Sequence, residues 1–400
     1  ACVRVDWTDQ CPYCPGWVGY FGYELGRTIE TLPSRARRDT DLPDLRLAFY
    51  DSIAVHDAIE AKWTLLSLDF DRQHAAPHPA GSTLRNIAKE NPTQQRAPSA
   101  PVEHSRGEAQ IPSQQFTPNF TKDQYTQAVE KGLDYIAAGD IFQVNLSQRL
   151  TVDNAPEAAD IYSAMARRNP AWYAAFLSFE TPGGPCSIVS CSPEMFLSLR
   201  GDKVITRPIK GTRGRTGLAE EDAKAVTDLL ASEKDNAELA MITDLLRNDL
   251  GRLCKYDSVK VVEPRRLETH PTVFHLVSTV SGQLIDGAGI ADLLRATFPG
   301  GSITGAPKIR AMEIIDEIEP TARAVYTGAI GIICANGSAE LNIAIRTAIC
   351  YSGKAYIQVG GGIVADSNPQ DEYEETLHKA RGMLEAISLA REHTEESPRS

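Results

Sequence analysis

An amine held between a rigid proline and a glycine-threonine turn, with an arginine on either flank, is the stretch of this chain best suited to chemistry: Arg207-Pro208-Ile209-Lys210-Gly211-Thr212-Arg213. Pro208 fixes its own φ and biases Arg207 towards extended geometry, and Gly211 lets the backbone approach a ligand closely. A lysine beside two cations, once desolvated, is driven towards the neutral, nucleophilic amine. An exposed basic loop would carry the same residues. Two carboxylate sets are the other candidates. Asp235 and Glu238 stand three apart, and Glu372, Glu375 and Lys379 are spaced i, i+3, i+7, so on helices each set shares one face. Either set alone reads as a solvated helix face. Brought together, the two faces would make an oxygen-rich site for a hard divalent cation.

These residues need elements to carry them. The alternations at 45–57 and 62–70 read as paired strands, and strand-like runs follow at 141–151, 171–180, 186–190, 195–206, 258–282 and 326–358. Thr121 followed three residues later by Gln124 is a capping-box signal that opens a helix to about Ala138, with Gly139 as its stop. Helical patterns cover 219–231, 233–251, 288–297, 305–318 and 370–391. Strands clustered as hairpins, with long helices between the clusters, predict an α+β build rather than a βαβ parallel sheet. Gly360-Gly361-Gly362, after a strand and before an acidic helix, reads as a tight turn whose N–H groups have room for a carboxylate. Arg346, closing the apolar pattern LNIAIR, reads as a rim charge, and His275 reads equally as a site residue or a hydrogen-bonded core histidine. Gly300-x4-Gly305 with Lys308 is no Walker loop, because Ala306-Pro307 intervene. It reads as a glycine-rich loop and helix start, with Pro307 near the first helical position and free N–H groups facing an anion.

The chain's 400 residues suffice for one large domain or two ordinary ones, and 42% hydrophobic content is ordinary for a globular chain. A formal charge of −12 argues against nucleic acid as a partner. No apolar run reaches the length of a membrane span and the N-terminus carries no signal pattern, so the expectation is a cytoplasmic protein without membrane association. Of eight cysteines, Cys11-x-x-Cys14 is the close pair; no second pair or histidine set stands at zinc spacing, and free cytosolic thiols are expected. Residues 90–115, rich in Pro, Gln and Ser, read as a flexible linker between an N-terminal part (1–89) and a catalytic region (116–393), with a tail at 394–400.

Eight segments stand in a telling order: GWVGYFGYELGR (16–27), GDIFQVNLSQR (139–149), SPEMF (192–196), PIKGTRGR (208–215), AELAMITDLLRNDLGR (237–252), HLVSTVSG (275–282), FPGGSITGAPK (298–308) and GGGIVADSNPQDEYEETLHKA (360–380). From about Cys11 to about Arg391, apart from 75–115, the sequence resembles the chorismate-utilising enzymes, the family of anthranilate, aminodeoxychorismate, isochorismate and salicylate synthases. The resemblance implies an anthranilate synthase component I-like fold: two large antiparallel sheets packed face to face, helices outside, the active site in the cleft between them. It implies Mg²⁺ as cofactor, with Glu238 and Glu375 as ligands and Asp235 and Glu372 reaching the ion through water. Lys379 would touch the ring carboxylate, Arg346 and Tyr326 the enolpyruvyl carboxylate, and Gly360, Gly361 and Gly362 a carboxylate through their backbone. His275 would sit near the departing C4 hydroxyl, with Thr304 and Thr212 also on the substrate, and Glu194 would be the general acid. The chain starts at Ala1, inside the family's usual N-terminal region, so a shortened N-terminus is expected, and 16–27 resembles the part of the family that lines a tryptophan pocket.

Two positions choose among the family's reactions. Members that add water at C2 carry a lysine base where this chain has Gln143; an amide cannot deprotonate water, so the resemblance implies for Gln143 a substrate contact only. Anthranilate synthases typically read PIAGT where this chain reads PIKGT. The resemblance therefore implies an aminodeoxychorismate synthase component I, with Lys210 as covalent nucleophile. Gly214, where proline is common, loosens the turn. No Cys-His-Glu amidotransferase unit follows residue 391, so ammonia is expected from a separate glutamine amidotransferase subunit. The alternatives are an anthranilate synthase component I, and a non-catalytic tryptophan- or partner-binding homologue.

Overall fold

Period-two apolar runs become two antiparallel sheets, as expected of an α+β chain. The computed structural model describes residues 11–68 and 116–396. The linker expected at 90–115, the first ten residues and the last four lie outside that range. One sheet runs Ile209–Gly214, Val273–Gln283, Lys203–Arg207, Met195–Arg200, Ala339–Ile343, Ala329–Cys334, Gly16–Phe21 and Leu45–Tyr50, with Lys260–Thr269 also paired to Val273–Gln283. The other runs Gly305–Ala306, Gln143–Asp153, Lys354–Ile363, Thr347–Tyr351, Gly184–Ser192 and Tyr173–Thr181, with Thr117–Pro118 on Gln143–Asp153. Inner residues of both meet in shared cores. Val144, Leu146 and Ile363 pack with Phe196, Leu197, Val280 and Leu341, and Ile188 and Ile349 pack with Tyr20 and Ile330. Among the described residues no helix is long and apolar enough to cross a membrane.

The expected helices are present, but Ala158–Arg168 is a further helix not anticipated from the sequence. Thr121 N–H donates to Gln124 Oε1 at 2.8 Å and Gln124 N–H to Thr121 Oγ1 at 3.2 Å, which opens Lys122–Ala137, and Gly139 closes it at φ +81°. The last helix, Pro369–Glu396, runs three residues into the expected tail. The alternation at 45–57 is not one strand. Leu45–Tyr50 pairs with Gly16–Phe21 in the large sheet, whereas Ser52–Asp57 turns away and forms a hairpin with Lys62–Ser67. Asp51, between them, breaks the run while the period continues, so spacing alone hides the change of sheet.

A buried ion pair ties the N-terminal segment and both sheets to the site. Arg323 Nη2 donates to Glu319 Oε1 at 2.6 Å and to the Asn145 carbonyl at 2.6 Å, and Nη1 donates to the Ile303 carbonyl at 3.1 Å. Glu319 also accepts from the Ser147 N–H and hydroxyl, both at 2.8 Å, and Glu24 accepts from Arg323 N–H at 2.9 Å. Both side chains are 2% exposed, so removing one partner strands a charge away from water. Glu319→Ala is expected to lower unfolding free energy by about 3–5 kcal/mol, measured by urea denaturation.

Candidate active site

The strand Ile209–Gly214 pairs Lys210 with Leu276 and Thr212 with His275, with a register shift between them at Gly211. Gly211 has φ +80°, and an added Cβ would lie 2.9 Å from Leu229 Cδ1 and 3.0 Å from Asp235 Cβ. Its conformation serves a bulge packed against the helix Glu233–Gly251, and the same residue lines the cleft. The flanking arginines also differ from expectation. Arg207 is bound to Glu268, and Arg213 Nη2 donates to Asp235 Oδ2 at 2.9 Å, so neither stands beside Lys210 as a free cation. Lys210 Nζ instead faces Glu238 Oε2 at 3.6 Å.

The cleft that contains Lys210 has a volume of about 1890 Å³ and is also lined by Glu194, Thr212, Asp235, Glu238, His275, Tyr326, Arg346, Gly360, Gly362, Glu372, Glu375 and Lys379. Glu194 follows the strand Gly184–Ser192 and is only 5% exposed. Burial pushes its carboxyl up to about 7, against the Ser302 hydroxyl at 2.7 Å, the Lys210 charge and the Ile209 N–H. His275 shares a 2.8 Å hydrogen bond between Nδ1 and Thr212 Oγ1, and burial, with His270 and Arg346 nearby, lowers it to about 4. It is therefore a neutral imidazole at pH 7, both buried in the sheet and lining the cleft.

Arg346 is not a rim charge. It lies past the end of Ala339–Ile343, at φ +51°, and Nη1 donates to the Lys379 carbonyl at 3.0 Å. Burial lowers its affinity for its proton, as it raises that of Tyr326 against its own ionisation. Gly360, Gly361 and Gly362 are ladder residues of Lys354–Ile363, opposite Ser147, Leu146 and Asn145, and not a tight turn. Their missing side chains make room for functional groups. A Cβ on Gly361 would meet Glu372 Oε2 at 2.9 Å, and one on Gly362 would meet Gln143 Nε2 at 2.5 Å and Lys210 Nζ at 3.3 Å. Gly362→Ala would thus wedge a methyl between amide and amine. Catalytic turnover is expected to fall about 100-fold, while thermal unfolding monitored on the same sample stays close to that of the parent.

Two expected substrate contacts stand behind the cleft wall. Thr304 is fully buried and its hydroxyl donates to the Gly300 carbonyl at 3.0 Å within its own loop. Gln143 is fully buried as well, and neither amide atom has a hydrogen-bond partner among the described residues. Pro307 is the residue before the helix Lys308–Ile318 and not its first, and Lys308 is committed to Asp249 Oδ2 at 2.6 Å and the Thr297 carbonyl at 2.8 Å. Asn145 and Ser302 line the cleft without having been singled out by sequence. Nothing in their spacing marks them, since both act through the loop 300–305.

The carboxylates of the two helices face one space. Lys379 Nζ binds Glu375 Oε1 at 2.6 Å and the Gly360 carbonyl at 2.9 Å. Burial raises the Glu375 carboxyl, but Lys379, with Lys234 and Lys210, outweighs it and leaves it below the usual range. Glu372 is raised by burial and by Glu375, against the Ser367 hydroxyl that donates to it at 2.7 Å. An all-oxygen, anionic donor set over a glycine cradle suits a hard divalent cation. In the present arrangement lysine or arginine side chains engage three of the four carboxylates, and among the described residues no three His, Cys, Asp or Glu side chains already converge on one point.

Residues 3–385 match the model of the chorismate binding enzyme family. The chain belongs to that family. It is 40% identical over 395 residues to an anthranilate synthase component 1 of Haloarcula marismortui, covering 95% of this chain and 77% of that protein. It is equally 40% identical, over 380 residues, to the aminodeoxychorismate synthase component 1 of Bacillus subtilis, covering 95% and 78%. The crystal structure of anthranilate synthase component I from Streptococcus pneumoniae superposes with a TM-score of 0.79 at 33% identity, over 96% of this chain and 83% of that one. The protein is a chorismate-utilising enzyme of the anthranilate and aminodeoxychorismate synthase component I type, with the corresponding α+β fold.

Proposed function

We propose that the enzyme is an aminodeoxychorismate synthase component I, which replaces the C4 hydroxyl of chorismate by an amine and yields 4-amino-4-deoxychorismate for p-aminobenzoate and folate synthesis. The observation that carries this reading is Lys210 in the cleft that also holds the buried, protonatable Glu194. Lys210 attacks C2, the two conjugated ring double bonds move to C1–C6 and C4–C5, and the C4–O bond breaks as Glu194 delivers its proton, so the oxygen leaves as water. Ammonia then attacks C4, both double bonds return to C1–C2 and C5–C6, and the Lys210 amine leaves C2 with the bonding pair while the new C4 ammonium gives up a proton. Ammonia comes from a separate glutamine amidotransferase subunit.

Glu238 and Glu375 would hold Mg²⁺, with Asp235 and Glu372 acting through water; when bound, the ion neutralises and fixes the ring carboxylate. Lys379 contacts that carboxylate directly, and Arg346 and Tyr326 hold the enolpyruvyl carboxylate. His275, neutral and held by Thr212, lies beside the leaving oxygen. Gln143 offers an amide where a water-activating member would need a base. Cys14, Cys186, Cys191, Cys254, Cys334 and Cys350 are free thiols, which a reducing compartment maintains, and the cytoplasm is the proposed setting.

Anthranilate synthesis is the second reading, favoured by relatives of equal identity that carry that name. Residue 210 separates the two. Calorimetric titration with chorismate, with and without Mg²⁺, tests whether the cleft is catalytic at all. Mutual enhancement of binding is expected, and binding of neither would leave a non-catalytic homologue.

A further inference from the structure

Glu194 is gripped from a loop that belongs to neither of its neighbouring strands. Ser302 lies in the short turn Gly301–Ile303, is 7% exposed, and donates its hydroxyl to Glu194 Oε1 at 2.7 Å. The turn is itself tied down. Asn145 Nδ2 donates to the Ser302 carbonyl at 3.3 Å and Arg323 Nη1 to the Ile303 carbonyl at 3.1 Å. Gly301 lets the turn approach the helix Glu233–Gly251 so closely that a Cβ there would lie 2.6 Å from Leu245 Cδ2.

A carboxylic acid can deliver its proton from either oxygen, and only one direction is productive. We propose that Ser302 is the positioning residue of the acid: its hydroxyl holds Glu194 Oε1 as an acceptor, which leaves the transferable proton on Oε2 and fixes the carboxyl plane. This rests on the reading of Glu194 as the general acid. The proton passes from Oε2 to the C4 oxygen as the C4–O bond breaks, and the oxygen leaves as water with the bonding pair. Ser302 then stabilises the carboxylate left behind. Lys210, on Ile209–Gly214, is the charged side chain whose field reaches Glu194, and that strand also offers the Ile209 N–H. Ala339–Ile343 supplies a backbone contact, Ile343 N–H to the Glu194 carbonyl at 3.0 Å.

Because the serine bond favours the charged carboxylate, its removal raises the proton affinity of Glu194 further. Activity that needs the protonated acid then persists to higher pH, while each transfer is less well aimed. In Ser302→Ala, kcat for total chorismate consumption is expected to fall on the order of tenfold with KM little changed. The alkaline limb of kcat/KM, and the carboxyl titration seen by infrared difference against Glu194→Gln, should both move up by about one pH unit. Ser302→Thr, which keeps the hydroxyl, should restore both. If alanine at this position prevents folding, Ser302→Cys, with its weak donor, is read the same way. A carboxyl titration that does not move overturns the proposal whatever kcat does. An alkaline limb that survives in Glu194→Gln would instead remove Glu194 as the acid, whereas a limb lost there and unmoved in the serine variants removes Ser302 alone.

Discussion

Replacing Lys210 by alanine is expected to abolish amination at C4 and to leave a slower enzyme that aminates C2, giving 2-amino-2-deoxyisochorismate and, once pyruvate is eliminated from C3 with the C2 proton, anthranilate. The account gives Lys210 one task, to occupy C2 so that incoming ammonia is directed to C4. Without it C2 is open, and the remaining groups (Glu194 for the leaving oxygen, the carboxylate-binding residues for orientation) are the ones an amination at C2 would also use. Formation of 4-amino-4-deoxychorismate should drop by roughly three orders of magnitude or more, the scale on which loss of a covalent nucleophile acts. Product analysis by mass spectrometry, alongside anthranilate fluorescence, reads both changes in one reaction. An unchanged C4 product in the variant would remove the covalent step. Lys210→Arg should not rescue, because a guanidinium stays protonated.

The second large effect belongs to Glu194. Glu194→Gln is expected to lower turnover by about 10²–10⁴-fold, since hydroxide is a poor leaving group and an amide cannot protonate it. The parent enzyme should also lose activity as pH rises through about 7, because the protonated form is the active one. Stability falls with rising pH as well, but there the substitution acts in the opposite sense to its effect on turnover. The folded carboxyl titrates near 7 and the unfolded one near 4.5, so the fold is fully favoured below 4.5 and loses stability as pH rises from there to 7. Glutamine has no charge to desolvate, so at pH 8 the variant should be more stable by roughly 3 kcal/mol, less whatever relaxation admits water. Urea denaturation at pH 5 and pH 8 would show this as a gap that opens only at the higher pH. A variant less stable at both would mean that the carboxyl is held by more than its burial.

What the sequence disclosed follows from the range over which each signal acts. The helix faces of Asp235 with Glu238 and of Glu372 with Glu375 and Lys379 were legible because helical spacing is local, and so was the capping box at Thr121. Lys210 and Glu194 were marked by their resemblance to family motifs. Pairing is where spacing fails. The run 45–57 keeps its period while changing sheets, and the three glycines at 360–362 continue a strand whose ladder partner lies more than 200 residues earlier. Burial is equally non-local. Arg346 closes an apolar pattern and looked like a rim charge, yet a turn at positive φ carries it inward to the Lys379 carbonyl. Ser302 gives no sequence signal at all, because its partner is 108 residues away and the contact depends on a loop that Arg323 and Asn145 hold in place.

The identity of the product tests the central claim most directly. Purified protein is incubated with chorismate, Mg²⁺ and an excess of ammonium salt near pH 7, and the mixture is analysed by mass spectrometry and by fluorescence. A non-fluorescent aminated chorismate that an added lyase converts to p-aminobenzoate is the predicted result. Fluorescent anthranilate from the unaltered enzyme would contradict it, and would mean that the lysine at position 210 does not direct the amine to C4.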